Sequence, residues 1–374
     1  MELRIAEPLH SRQLVEFYKS FTQQGPVELK IDRCQDFFSA YDIQSGDHLT
    51  YILTEKSKIE GTASFIIRET LINRVPTNIA FGRDLRISSN RNAILNWANH
   101  FQPVTDEVTK AYDTQFLFTV LSMSDVQALN TFVRPRNPKR RLPRYFLYRR
   151  FNLVSLHGRF PWASIPLPHL TVRKVTLADH DALQYYIIQK SFTRDLSTVW
   201  DSQSFTSKLE RWKGLSLNDF WIALDKNNNI VGCTAPWSSR GIQEYIPLSY
   251  NLKAHNFRQF LKFGKIFGWT HSMTKPITRL NVEAPLEFKY LNFMFAENGD
   301  IFETLAWKIF DSLGKNEFLV YTQMRSDHIY RRPFNWVTAK MPYSIYCLLP
   351  PDKDPPAFLS PYNEIPCEME PFFA

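Results

Sequence analysis

Two stretches of the chain read alike, and their likeness decides the fold. The first is Tyr51-Ile52-Leu53-Thr54, a polar turn at 55–58, and Ile59-Glu60-Gly61-Thr62-Ala63-Ser64-Phe65-Ile66-Ile67. The second is Trp221-Ile222-Ala223-Leu224, an Asp- and Asn-bearing turn at 225–229, and Ile230-Val231-Gly232-Cys233-Thr234-Ala235. Asn and Asp tolerate left-handed backbone angles, so each stretch reads as a β-hairpin, and both return strands open on Ile-x-Gly. Working outward, each hairpin follows a short strand and an amphipathic helix. The first copy has Leu3-Arg4-Ile5, then Leu14, Val15, Phe17, Tyr18 and Phe21. The second has Thr171-Val172-Arg173-Lys174-Val175, then Leu183, Tyr186, Ile187 and Phe192, with Asp179 or Asp181 placed to cap. Apolar positions three, four and seven apart share one helical face. Further on, Phe116-Leu117-Phe118-Thr119-Val120 matches Phe318-Leu319-Val320-Tyr321-Thr322 as a buried-type strand with a polar exit through Asp125 and Asp327.

The chain is therefore an internal repeat. The offset is 169 residues at Arg4 and Arg173, 171 at Gly61 and Gly232, and 202 at Phe116 and Phe318. The second copy thus holds about 31 extra residues between its third and fifth strands, expected in the aromatic, basic segment 243–285 with a helix near Phe257. Gly158, Pro161, Pro166 and Pro168 mark the interdomain boundary at 156–169. The expected layout is a domain at 1–155, a domain at 170–350, and a tail at 351–374 whose prolines make it a strap or a loose end.

Composition bounds the class. The chain has 374 residues, 44% hydrophobic and 22% charged, which suits two globular domains and excludes a mostly disordered chain. Fifteen per cent aromatics supply a large core, and 12 glycines are too few for Gly-rich architectures. No apolar run reaches membrane-spanning length, and Met1-Glu2-Leu3-Arg4-Ile5-Ala6-Glu7-Pro8 lacks the features of a signal peptide. Cys34, Cys233, Cys347 and Cys367 form no C-x-x-C pair, so no metal site is expected and the thiols read as reduced, in a cytoplasmic protein. No GxSxG, GxxxxGK[ST], HExxH or GxGxxG occurs. The formal net charge of +8 is uneven, and Arg134, Arg136, Lys139, Arg140, Arg141, Arg144, Arg149 and Arg150 follow one another without an acid. Such a run suits an anionic partner or a solvated loop. Tyr145, Phe146 and Tyr148 within it offer stacking surfaces, though their alternation looks more like a final strand.

The order strand, helix, helix, hairpin, strand, helix, strand, helix and final strand pair resembles the GNAT acetyltransferase superfamily. The openings Leu3-Arg4-Ile5-Ala6 and Val172-Arg173-Lys174-Val175, the Ile-x-Gly hairpins, and Phe81-Gly82-Arg83-Asp84-Leu85-Arg86-Ile87 before a helix at 93–101 carry the resemblance, which covers most of both halves. It implies an α+β fold of two GNAT-like domains. Each would be a mixed, mostly antiparallel sheet flanked by helices, and the two would pack as an intrachain pseudo-dimer, monomeric or weakly dimeric as a whole. In that superfamily the fourth strand splays from the fifth to receive the pantetheine arm, and the next helix offers its N-terminal amides to the CoA pyrophosphate.

The resemblance implies acetyl-CoA or another acyl-CoA as co-substrate and an amine acceptor of unknown identity. Leu85, Arg86, Ile87, Ser88, Arg91, Asn92 and Ala93 would bind the cofactor, and Asp84 would take the amine proton. Asp84 has an alternative reading as the ion-pair partner of Arg83 or Arg86. The sequence departs from the family's Gln/Arg-x-x-Gly-x-Gly/Ala loop. With Arg91 at the Arg position, Ile94 and Asn96 replace the glycines, which leaves a plain capped helix as the other reading. Glu297 and Asp300 stand where the second copy would hold phosphate, so that copy is not expected to bind CoA in the usual way. The family's leaving-group Tyr would fall at Phe132 and Phe334, and Tyr330 is either a substitute or core. Three functions follow: an acyl-CoA-dependent N-acyltransferase, a catalytically inactive GNAT-like binding protein, or a binder of nucleic acid or another acidic partner through the basic run.

Overall fold

The structure is a computed structural model, and it describes all residues except 135–142, 278–281, 361–362 and 364. Among the described residues, fifteen strands lie in two sheets. In chain order they are β1 (Glu2–Ile5), β2 (Thr22–Gln23), β3 (Val27–Asp32), β4 (Asp47–Glu55), β5 (Lys58–Ile72), β6 (Val75–Ile87), β7 (Phe116–Ser122), β8 (Arg144–Arg159), β9 (Thr171–Lys174), β10 (Trp221–Leu224), β11 (Ile230–Trp237), β12 (Glu244–Tyr250), β13 (Phe288–Ala296), β14 (Phe318–Met324) and β15 (Trp336–Leu349). The described helices are α1 (Ser11–Lys19), α2 (Ser39–Asp42), α3 (Arg91–Ala111), α4 (Val126–Ala128), α5 (His180–Ser191), α6 (Phe205–Glu210), α7 (Leu252–Ile266) and α8 (Gly299–Asp311).

The large sheet has the order β1-β4-β5-β6-β7-β15-β8-β14-β13-β11-β10-β9, which reads the same from both ends once the repeat is applied. The two copies are thus one continuous sheet, and each lends the other its last strand. β8 ends the first copy but pairs with β14, and β15 ends the second but pairs with β7. β8 and β15 pair with each other along their whole length. β8 therefore runs on into the boundary expected at 156–169, ending at Arg159. Gly158 permits this, because a Cβ there would lie 2.3 Å from the Trp269 carbonyl oxygen.

The extra residues of the second copy form β12 and α7. β12 pairs with β3 of the first copy, so the insert ties the halves together a second time. The hairpin strands outrun their sequence signal. β5 and β6 continue to a tight turn at Asn73-Arg74, where both φ angles are positive, and the Asn73 amide donates to Asp195 Oδ1 of the second half at 2.8 Å. The helix expected at 93–101 extends to Ala111, because Pro103 forgoes a single helical hydrogen bond while Val104 and Val108 bury their side chains. Asn90 caps α3 through the Asn92 amide at 2.9 Å, and Asp179 closes a capping box with Thr176 just before α5.

Cores lie on both faces. α3 covers Phe65, Ile67 and Leu117, and α8 covers Leu291, Leu319 and Tyr321. Gly232 lets α8 approach, since a Cβ there would meet Ile301 at 2.8 Å. The remaining core is shared, and α1, α2, α5 and α6 bury Phe37, Tyr41, Ile187 and Phe205 in one cluster. The C-terminal segment threads through it, burying Phe358, Cys367, Met369, Phe372 and Phe373. All four cysteines are free thiols, and no group among the described residues is arranged to hold a metal ion. Among the described residues, no helix is long and apolar enough to cross a membrane.

Candidate acyl-CoA site and its counterpart

The repeat places one gap in each half. β6 and β7 run parallel but pair only from Ile79–Gly82 to Phe116–Thr119, then separate. β13 and β14 pair only from Phe288–Tyr290 to Phe318–Val320 and separate likewise. Just past each pairing the strand bulges. On β6 the register against β5 slips between Thr62 and Ser64, opposite Asp84 and Leu85. On β13 it slips between Cys233 and Ala235, opposite Phe293 and Met294. Asp84 and Phe293 take the same left-handed turn, with φ of 53° and 51°. A side chain rarely accepts that conformation, so the surroundings must hold it there.

At the first bulge three donors hold it. The Asp84 carboxylate accepts from Tyr18 Oη at 2.7 Å, from Tyr41 Oη at 2.6 Å, and from the Arg33 guanidinium. Arg33 is 1% exposed, and its guanidinium lies over the rings of Tyr18, Phe37 and Tyr41 at 5.1–5.5 Å. Burial favours the neutral acid, but Arg33, Arg83 and the two phenols outweigh it and hold Asp84 far below the ordinary carboxylate range. The ion-pair partner is Arg33, neither of the sequence neighbours Arg83 and Arg86. Arg83 instead donates to the Phe372 carbonyl at 3.3 Å, and Arg86 lies 5.6 Å over Tyr18.

Beyond the bulge, Leu85 and Ile87 pack against the α3 core, and Arg86, Ile87 and Ser88 stay half-exposed along the gap. The Ser88 hydroxyl donates to Glu60, whose carbonyl also accepts the Ser88 amide at 2.8 Å. Arg91 and Asn92 are exposed in the first turn of α3, while Ala93 is buried beneath it. The structure thus gathers all eight sequence-predicted site residues along one strand-to-helix passage. Sequence reasoning missed Arg33 and Tyr41. Arg33 lies 51 residues from Asp84 and Tyr41 lies 43, and no local pattern links them.

The second gap is filled. The Phe293 amide donates to Glu370 Oε1 at 2.9 Å, and Thr322 Oγ1 donates to the Met369 carbonyl at 2.5 Å. Tyr330 is 2% exposed, and its hydroxyl accepts from the Ala296 amide and from Arg194, both at 3.0 Å. Of its two readings the core one holds. A void of about 20 Å³ remains between these groups, room for about one water molecule. Phe293 itself packs on Trp200, Trp212 and Phe220. Phe132 stacks obliquely between Phe101 and Tyr145, and Phe334 is 91% exposed. In the basic run, Arg136, Lys139, Arg140 and Arg141 lie outside the described residues. Tyr145, Phe146 and Tyr148 belong to β8, and Arg149 donates to the Asn363 carbonyl at 3.1 Å.

No protein-family model matches the chain, and no curated protein matches its sequence. Solved structures do. Saccharomyces cerevisiae N-myristoyltransferase with bound myristoyl-CoA superposes with a TM-score of 0.53 at 9% identity, covering 92% of this chain and 82% of that one. A second structure of that enzyme with myristoyl-CoA gives 0.53 at 9% identity, covering 98% and 83%. A GCN5-related N-acetyltransferase from Sphaerobacter thermophilus is also similar, with a TM-score of 0.49 at 10% identity over 94% and 97% of the two chains. With its mirrored sheet, paired bulges and paired gaps, the chain has the tandem GNAT-like fold of N-myristoyltransferase.

Proposed function

We propose that the chain is an acyl-CoA-dependent N-acyltransferase that binds its acyl-CoA in the first half alone. One observation carries the reading: the two halves share a gap and a bulge, but the gap between β13 and β14 is closed by the chain's own Glu368–Glu370 segment, whereas the strand-to-helix passage from Leu85 to Asn92 stays half-exposed or exposed. In this reading the pantetheine arm lies along Leu85, Arg86 and Ile87, where β6 has left β7. The pyrophosphate meets Ser88, Arg91, Asn92 and the backbone at Ala93, at the positive end of the 21-residue helix α3. In this reading backbone amides left unpaired at the bulge meet the thioester oxygen, which gains charge as the amine attacks. Asp84 then acts as a positioning residue. Its depressed pKa makes it a weak proton acceptor, but its three bonds fix the bulge.

The neighbours that carry the fold argument hold myristoyl-CoA, so both a short and a long acyl-CoA belong in the test. Isothermal titration with acetyl-CoA and with myristoyl-CoA is expected to show one site per chain for at least one of them. Arg91→Glu is expected to weaken it at least about tenfold, because it sets a carboxylate beside the pyrophosphate. Silence from both ligands overturns the acyl-CoA reading. It would favour the alternative of an inactive binding platform, which the Glu60 carboxylate on Ser88 and the absent loop glycines support.

A further inference from the structure

A second cavity lies between the halves, separate from the β6–β7 gap. It holds about 310 Å³ and opens between the connection from α2 to β4, the strand β5, the helix α6 and the C-terminal segment. Trp200, Trp212, Phe293 and Phe373 wall its inner end, each no more than 4% exposed. Three charged groups face that end: Arg68 from β5, and Glu368 and Glu370 from the C-terminal segment. Arg68 is 9% exposed, lies over Phe81 and Phe373 at 5.3 and 5.2 Å, and has an unpartnered Nε among the described residues. Glu368 accepts from Ser197 Oγ at 3.1 Å through Oε2, and Glu370 from the Phe293 amide through Oε1. The inner wall of the cavity thus carries two carboxylates and the Arg68 guanidinium inside an aromatic box, with Arg194 behind the carboxylates.

We infer that this cavity binds an organic ammonium ion, with the cation on Glu370 and Glu368 and its carbon chain against Trp200 and Trp212. Burial, and after it the neighbouring Glu368, hold the Glu370 proton well above the ordinary carboxylate range, against the opposing pull of Arg68 and Arg194. An alkylammonium ion seated in the cavity adds a positive charge beside the two carboxylates. Glu370 then ionises, one proton leaves to solvent, and the charge of the site is unchanged. Aromatic faces favour such a cation further. The other charged groups stand toward the mouth: Asp47 at the start of β4, Glu69 on β5, Lys208 and Arg211 at α6. Lys208 is engaged with the Val199 carbonyl at 2.6 Å. Arg194 acts on both carboxylates from outside the cavity, where it also faces Asp327 Oδ2 at 3.5 Å, and Arg83 acts on Arg68.

Binding is tested without acyl-CoA, so the result is independent of the acyl-transfer reading. The probe is n-hexylammonium, titrated calorimetrically at neutral pH in several buffers of differing ionisation heat. Saturable 1:1 binding with proton release is expected, with hexanol at least about tenfold weaker. Glu370→Gln is expected to remove the proton release and weaken binding by a similar factor. Hexanol binding as tightly as hexylammonium would overturn the inference. So would preferential binding of hexanoate through Arg68, or binding with no proton released by the unaltered protein. That last readout needs no variant and does not depend on Glu370→Gln folding.

Discussion

Asp84 and Phe293 occupy the same place in the repeat and the same left-handed backbone conformation, yet they are held by opposite means. The first is fixed by charge, between Arg33, Tyr18 and Tyr41. The second is fixed by packing, among Trp200, Trp212 and Phe220. A backbone shape can therefore persist while the chemistry that enforces it is replaced. The replacement has a consequence for binding. The polar anchor leaves the first strand's backbone facing a gap, while the aromatic anchor goes with a second gap closed by the molecule's own chain.

Exchanging the anchors is expected to do the most damage. Asp84→Phe leaves the Arg33 guanidinium buried without its counter-ion, which costs about 3–5 kcal/mol, and crowds the site by about 1–3 kcal/mol more. Urea unfolding is expected to show a loss of that order or no folded protein. If Arg33→Met is added to Asp84→Leu, removing both charges, most of the stability should return. A double variant as unstable as the sum of its parts would show that the bulge is not held by this pair. At the second bulge, Phe293→Ala is expected to cost about 3–5 kcal/mol through the cavity it leaves. A smaller loss would mean that Glu370 and the threaded segment hold the strand without the ring.

The fold was legible because it is written twice. The hairpins, the openings and the fifth strands recur at nearly constant spacing, and alternation of apolar residues is a local signal that survives without any partner. What was not legible is the exchange of last strands. β8 and β15 carry the same pattern whichever half they join, so the sequence expectation ended the first domain at 155 while the strand continues to Arg159 in the neighbouring half's sheet. The site was half legible for the same reason. Asp84 to Ala93 lie on one continuous stretch, while Arg33 and Tyr41 reach Asp84 only through tertiary packing. Glu297 and Asp300 argue from charge against ordinary CoA binding in the second copy, but they carry no sign that its gap is filled. The residues that fill it are Cys367 to Glu370, in a tail read only as a strap or a loose end.

The glycines sharpen the comparison at smaller scale. Gly61 and Gly232 hold the same position in the two hairpins, but their surroundings differ. A Cβ at Gly232 would lie 2.8 Å from Ile301 and 2.9 Å from Leu305 on α8, whereas a Cβ at Gly61 would meet Leu53 at an ordinary 3.4 Å. Gly232→Ala should thus cost about 1–3 kcal/mol, and Gly61→Ala less than about 1 kcal/mol. Thermal unfolding of the pair decides it. Equal losses would show that α3 presses on the first sheet as closely as α8 does on the second.

The gentlest test uses pH, because the two bulges should give stability slopes of opposite sign. Arg33 holds Asp84 far below its unfolded value of about 3.9, so its contribution is complete above that pH and drains away progressively as the pH falls below it toward the folded value. Burial and Glu368 raise Glu370, so the folded chain keeps a proton that the unfolded chain releases near pH 4.3. The folded state then binds more protons than the unfolded state above that pH, and stability declines as pH rises toward the folded value. Denaturant midpoints measured from pH 3 to pH 8 should pass through a maximum near the lower end. Glu370→Gln should flatten the decline on the alkaline side and leave the acid side in place. If the alkaline slope survives in Glu370→Gln, the proton belongs to another group, and the second bulge is held by its aromatic packing alone.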